Sequence, residues 1–277
     1  MPLYINTNVA SLNAQRSLMK SSSTLGKTFA RLSSGLRINT AKDDAAGLAI
    51  SQRMTSQIRG LNQAIRNAND GISVAQVAEG ALEETTNALQ RIRELAVQAA
   101  NSTYNSDDRE NLQKEVNQLL SEVSRISEHT EFNKLKVLDG TYTAQNFHVG
   151  AFSGQKISIT ITGASINHLF SNTTGNPVVT ISTTNGANSA LRQIDQALDS
   201  IADIRASLGA VQNRFEAVIN NLSNIVENMS ASRSRIMDAD IASETADLTK
   251  NAILQQAGTA VLAQANQQPQ LALQLLG

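Results

Sequence analysis

The sequence predicts a mainly α fold of long, antiparallel, coiled-coil-like helices, with paired terminal helices at one end and a small β-hairpin region at the far end. Three observations lead there. Apolar residues late in the chain keep a seven-residue repeat: Ile194, Ala197, Ile201, Ile204, Leu208, Val211, Phe215, Val218, Leu222, Ile225, Met229 and Ile236, broken only at Ser232. Such a period calls for helices supercoiled about each other rather than for a lone amphipathic helix. A second stripe, on Met54, Ile58, Leu61, Ile65, Ala68, Ile72, Ala75, Leu82, Leu89 and Ala96, predicts an equally long helix over about residues 44–100. Composition agrees: only 3% of the 277 residues are aromatic and none is Trp, the palette of closely packed helices rather than of a bulky core.

Each element has its own signal. Near the start, Ile5, Val9, Leu12 and Met19 form one stripe, and Leu18, Leu25, Phe29, Leu32 and Leu36 a drifting second one. Gly60, Gly71 and Gly80 interrupt the first long helix and read as tolerated breaks. After "NSTYNS", Asp107 with Glu110 three residues on predicts a capping box and a shorter helix through Leu112, Val116, Leu119, Val123 and Ile126. Residues 131–188 change character. Asp139-Gly140 is a hairpin signal, "KISITIT" alternates as a half-buried strand, and the polar "SNTTGNPVVTISTTNG" reads as an exposed tip. At the finish, Leu254, Ala257, Val261 and Ala265 precede Leu271 and Leu275. Chain order then brings the two ends together. The expected division is a paired terminal-helix domain of residues 1–42 and 238–277, and a helical rod domain of residues 43–237 that includes the β region.

Chemistry finds little to work with. The net charge of −1 is spread without a basic patch, which argues against nucleic-acid partners. No apolar run approaches a membrane span, and the first residues lack a secretory signal's basic start and apolar stretch. Without cysteine there is neither disulfide nor thiolate site. His129, His148 and His168 stand apart, without zinc spacing. The pairs Asp43/Asp44 and Asp238/Asp240 precede helices and read as caps. Neither a phosphate-binding loop nor a nucleophile elbow is present, so no enzyme activity, metal or cofactor is expected. Arg91, Arg93 and Glu94 read, on spacing alone, as a solvated face with intrahelical ion pairs.

The apolar ends pose the main question. Ordering a residue costs about 1–2 kcal/mol of backbone entropy, and an arm with roughly one large apolar residue in four does not offset that alone. We therefore expect the arms to order only against neighbouring copies. Sharp, protected amides over residues 1–35 in a dilute monomer would contradict this.

The residues themselves resemble a known family. "LNAQRSL", "RLSSGLRINTAKDDAAGLAIS", "RNANDGISVAQVAEGAL" and "LQRIRELAVQAANST" closely resemble the amino-terminal half of bacterial flagellins. "SRIMDADIASETADLTK" and "ILQQAGTAVLAQANQQPQ" resemble their carboxyl terminus. The resemblance covers about residues 1–138 and 189–277, leaving a short form without large outer domains.

That resemblance implies a homo-oligomeric, extracellular filament for swimming, built from subunits exported unfolded by the flagellar type III apparatus. It implies self-assembly through Ile5, Leu12, Leu25, Phe29, Leu32, Leu36, Leu254, Val261, Leu271 and Leu275, beneath a filament cap and next to hook-filament junction proteins. An export chaperone would cover Leu254, Val261, Leu262, Leu271 and Leu275. A Toll-like immune receptor would contact Gln90, Arg91, Leu95 and Glu115, which overrides the bland reading of that segment. Thr173, Thr174, Thr183 and Thr184 are candidate O-glycosylation positions. A hook-filament junction protein and, more distantly, a coiled-coil adhesin or tether are the alternatives.

Overall fold

In a computed structural model of the protein, residues 7–170 and 179–274 are described, side chains as far as residue 267. The helices are α1 (Val9–Ser34), α2 (Ala45–Ala100), α3 (Ser106–His129), the one-turn α4 (Ile166–Leu169), α5 (Thr184–Met237) and α6 (Ile241–Gln274). Between α3 and α4 lie four short strands: β1 (Glu131–Phe132), β2 (Leu135–Lys136), β3 (Gln145–His148) and β4 (Lys156–Ile159). Two compact units result, one of residues 58–226 and one of 7–57 with 227–274.

Long helices leave unpaired amides and carbonyls only at their ends, and side chains close those ends. Asn8 accepts from Ser11 N at the start of α1. Asp44 accepts from Gly47 N (2.8 Å) and Asp240 from Ala242 N (3.0 Å), as capping required. Asp43 instead ties the preceding loop, accepting from Asn39 N, Thr40 N and the Thr40 hydroxyl, and these bonds, led by the one from the Thr40 amide, lower its pKa. Asp238 pairs by backbone with Leu36. The capping box of α3 is two residues earlier than expected: Asn105 accepts from Asp108 N, and Asp108 accepts from Asn105 N. The carboxamide of Asn105 reaches the free amide first, so Asp107 and Glu110 fall inside the helix.

Within the unit of residues 58–226, the buried face of α2 is a continuous heptad. To the expected Leu61, Ala68, Leu82, Leu89 and Ala96 it adds Ala64, Ala78, Thr85, Ile92 and Ala99. The α5 stripe is buried at Ile194, Ala197, Ile201, Ile204, Leu208, Phe215 and Leu222. Val116, Leu120 and Val123 of α3 join the same core. Phe215 is fully buried and meets Phe147 of β3 edge to face, ring centroids 5.8 Å apart.

That ring also gives Gly71 a purpose. A Cβ there would lie 2.8 Å from the tip of Phe215, so Gly71 is a notch in α2 rather than a tolerated break. Gly80 has open space around it.

Two further expectations are corrected in the β region. The tight hairpin turn is Asn133-Lys134, both at positive φ (50° and 67°) between β1 and β2, the conformation that two-residue hairpins require. Asp139-Gly140 does turn, with Asp139 accepting from Thr141 N and its hydroxyl. It joins no paired strands, because Gly140 packs against Gly163, where a Cβ would come within 2.9 Å. The "KISITIT" alternation holds, with Ile157, Ile159 and Ile161 buried.

The segment read as an exposed tip contains core residues: Val179 and Ile181 are fully buried. Gln113 of α3 holds them like a neighbouring strand, donating to Val179 O (3.0 Å) and accepting from Ile181 N (2.6 Å). Thr-rich polarity hid two β-branched apolar residues that a side-chain amide had paired.

Replacing Gly71 by Ala should destabilise this unit by about 1–3 kcal/mol through overpacking. Gly80→Ala should stabilise it by about 0.5–1 kcal/mol through helix propensity. Denaturant unfolding of the two variants checks the contrast.

Candidate functional site

Helices α1 and α6 pair along a seam that also repeats every seven residues. From α1 it takes Ser11, Ala14, Leu18, Ser21, Leu25, Thr28 and Leu32; from α6 it takes Glu244, Leu248, Asn251, Gln255, Gly258, Leu262 and Ala265. All are buried or half-buried. The pairing is antiparallel. At one end Leu36 bridges to Asp238, with Arg37 N donating to Met237 O (2.7 Å) and Ala239 N to Gly35 O (2.9 Å). At the other, the Asn8 side chain donates to Ala265 O (2.7 Å).

Polar contacts bridge the helices between those ends. The Ser11 hydroxyl donates to Asn266 Oδ1 (2.7 Å), the Ser21 hydroxyl to Asn251 O (3.2 Å), and Arg31 pairs with Glu244 at 3.2 Å. Where Gly258 faces Leu18, a Cβ would sit 3.0 Å from Leu18 Cδ1. The helices need a residue without a side chain to approach there.

The large apolar residues mostly face the other way. Val9, Leu12, Met19 and Phe29 of α1, and Ile241, Ile253, Leu254 and Val261 of α6, are each at least half exposed. The candidate assembly residues therefore fall into two groups. Leu12, Phe29, Leu254 and Val261 point outward, while Leu25, Leu32 and Leu36 are half-buried, as is the chaperone candidate Leu262. Ile5 and Leu275 lie outside the described residues, as does the side chain of Leu271. Of the apolar stripe of α6, Leu254, Ala257 and Val261 thus face away from α1, while Ala265 is buried in the seam.

A second cluster gathers on α2 and α3. Arg91 pairs with Glu94 one turn along its own helix and with Glu115 across to α3, both at 3.0 Å. Hydrogen bonds to Glu94 and then Glu115 raise the Arg91 pKa above its usual value. Gln90 is exposed beside them. Leu95 is not: at 2% exposure it belongs to the core. An open groove of about 520 Å³ runs alongside, lined by Ala81, Ala88, Arg91, Leu119, Glu122 and Arg125 among others. Thr173 and Thr174 lie outside the described residues. Thr183 accepts from Gly186 N as the cap of α5, and Thr184 is half-buried in its first turn.

Comparison with known proteins matches the region described as bacterial flagellin N-terminal helical region to residues 5–143, and the bacterial flagellin C-terminal helical region to residues 191–276. The chain belongs to the bacterial flagellins. It is 47% identical to a flagellin of Halalkalibacterium halodurans across 99% of this chain and 100% of that protein. Identity to the flagellar filament 33 kDa core protein of Treponema phagedenis is 45%, again across 99% and 100%. The crystal structure of Bacillus cereus flagellin aligns with a TM-score of 0.50 at 30% identity, covering 61% of this chain and 94% of that one. This flagellin is a structural subunit of the bacterial flagellar filament, assembles with copies of itself, and is not an enzyme.

Burial separates the residues of the second cluster by experiment. Leu95→Ala should cost about 2–5 kcal/mol of unfolding free energy, while Gln90→Ala should stay within about 0.5 kcal/mol of the parent. Calorimetry on the two variants reads the difference.

Proposed function

We propose that the outward apolar residues of the paired arms are the surface through which subunits join the filament. The observation that carries this is the inversion of α1 and α6: polar groups in the seam, and Val9, Leu12, Phe29, Leu254 and Val261 outside. Water does not favour such a surface, and neighbouring subunits supply the missing apolar cover. The assembly residues are then Leu12, Phe29, Leu254 and Val261 outward, Leu25, Leu32 and Leu36 within the arm, and Ile5, Leu271 and Leu275 toward its ends. In this reading residues 1–42 and 238–277 form the terminal domain and 43–237 the rod, and the filament lies outside the cell.

The same surface suits the rest of the subunit's life. The chain travels unfolded through the flagellar type III apparatus. An export chaperone covers Leu254, Val261, Leu262, Leu271 and Leu275, and cap and junction proteins receive the subunit at the filament end. Exposed Gln90, with Arg91 and Glu115 joined across two helices, favours an immune-receptor contact there as well, and buried Leu95 would support it from beneath. O-glycosylation would fall to Thr173, Thr174, Thr183 and Thr184. Of these, Thr183 has its hydroxyl engaged.

Seeded polymerisation tests the assembly reading. Phe29→Asp should abolish filament growth while leaving the cooperative unfolding of residues 58–226 unchanged, because the charge loses its solvent when a neighbour covers it. Leu32→Asp should also fail, by opening the seam. Normal filaments from Phe29→Asp, seen by electron microscopy, would remove the outward face from the interface.

A further inference from the structure

We propose that the outward face of α1 docks on an anionic lipid bilayer, with its cations on the headgroup phosphates and its apolar residues among the upper acyl chains. This goes beyond the assembly reading, which gives the same helix to neighbouring copies, and a separate measurement reads each.

Helix geometry assembles the face. Its cations look scattered along the sequence, but Val9, Leu12, Arg16, Met19, Lys20 and Lys27 recur at intervals of three, four and seven. On an α-helix those intervals return to one side. All six are exposed, since α6 covers the opposite side of α1 at Leu18, Leu25 and Leu32. Val9, Leu12 and Met19 are each more than half exposed.

Charge selects the occupant. The sequence has no Asp or Glu in residues 1–42 and no charged side chain at all in residues 251–277. The acids of α6, Glu244 and Asp247, lie in its first two turns, and Glu244 is taken by Arg31. Among the described residues, Arg16, Lys20 and Lys27 have no ion-pair partner. Three unneutralised cations among three exposed apolar side chains match the boundary of an anionic bilayer, where phosphates meet acyl chains. The long stems of Lys and Arg lie along apolar surface while their heads reach the phosphates. An acidic peptide would satisfy the cations and leave Val9, Leu12 and Met19 in water. Lipid covers the whole row, and so holds free subunits at a membrane surface before neighbouring copies replace it.

Flotation of the full-length, unpolymerised protein with vesicles tests this. Vesicles of equal parts phosphatidylglycerol and phosphatidylcholine should carry the protein, less so as salt rises, and phosphatidylcholine alone should not. Combining Arg16→Gln, Lys20→Gln and Lys27→Gln should lower partitioning about a hundredfold, or about fivefold for each near-surface cation. Arg16→Lys, Lys20→Arg and Lys27→Arg together should bind like the parent. Leu12→Ala with Met19→Ala should lower partitioning about tenfold, by lost apolar burial. The chain has no cysteine, so a polarity-sensitive dye on Met19→Cys should shift to the blue on the anionic vesicles, and one on the exposed Phe152→Cys of the rod should not. Equal binding to phosphatidylcholine alone would overturn the proposal, as would parent-like binding by the Gln variant, lost binding by the charge-keeping variant, or the dye shift at Phe152→Cys instead. Binding to soluble polyglutamate as tight as to the vesicles would also overturn it, in favour of an acidic protein. The parent seeded with filament fragments is run in parallel: its failure to elongate would count against the assembly reading and leave the lipid result standing.

Discussion

The structure depends on one geometric constraint: a helix presents the same face to a partner only if its inward residues return every seven positions. Once that period is met, the residues at those positions decide how close and how tightly the helices pack. In the unit of residues 58–226 they are mostly Ala, Leu and Ile, with alanines such as Ala68, Ala75, Ala78 and Ala197 at no more than 1% exposure. Small residues let backbones approach, and large ones fill the intervals. Phe215 is the outsized member of the series, accommodated because Gly71 leaves room opposite and Phe147 supplies a ring edge.

Helices of this length concentrate their weak points at their ends, and those ends are stitched to neighbouring elements. Arg109, in the first turn of α3, donates to Ala99 O (2.8 Å) and Asn101 O (3.0 Å) at the close of α2. A single guanidinium thus satisfies two carbonyls after 56 helical residues. Arg93 pairs with Asp195 of α5 at 2.7 Å. Exposed pairs of this kind add little stability, but they favour one relative placement of helices whose apolar faces are otherwise interchangeable.

Much of this was legible in the chain. The α5 heptad and the α2 stripe announced two long helices, and both run close to their expected bounds. What stayed hidden was hidden by chemistry. Ser11, Ser21, Thr28 and Asn251 lie on a seam but carry polar side chains, so apolar periodicity does not mark them. Val179 and Ile181 were masked by surrounding Thr and Asn, and only the position of Gln113 in space reveals their pairing. Asn133-Lys134 outdid Asp139-Gly140 as the hairpin turn because strand pairing, not turn propensity alone, decides where a two-residue loop closes. At the candidate site the charged residues were readable as types, whereas the burial of Leu95 needed the packed core.

The bridge between Leu36 and Asp238 has a kinetic meaning. Arg37 also donates to Ile236 O, and 199 residues separate those two positions. Joining chain segments so distant is entropically slow when the intervening chain is loose. With the bridge made, α1 and α6 behave as the two legs of a short helical hairpin, α1 ending and α6 starting within a few residues of it. A remote encounter becomes a local one, and the legs can zip or part from a fixed hinge, at the high effective concentration that a short tether provides.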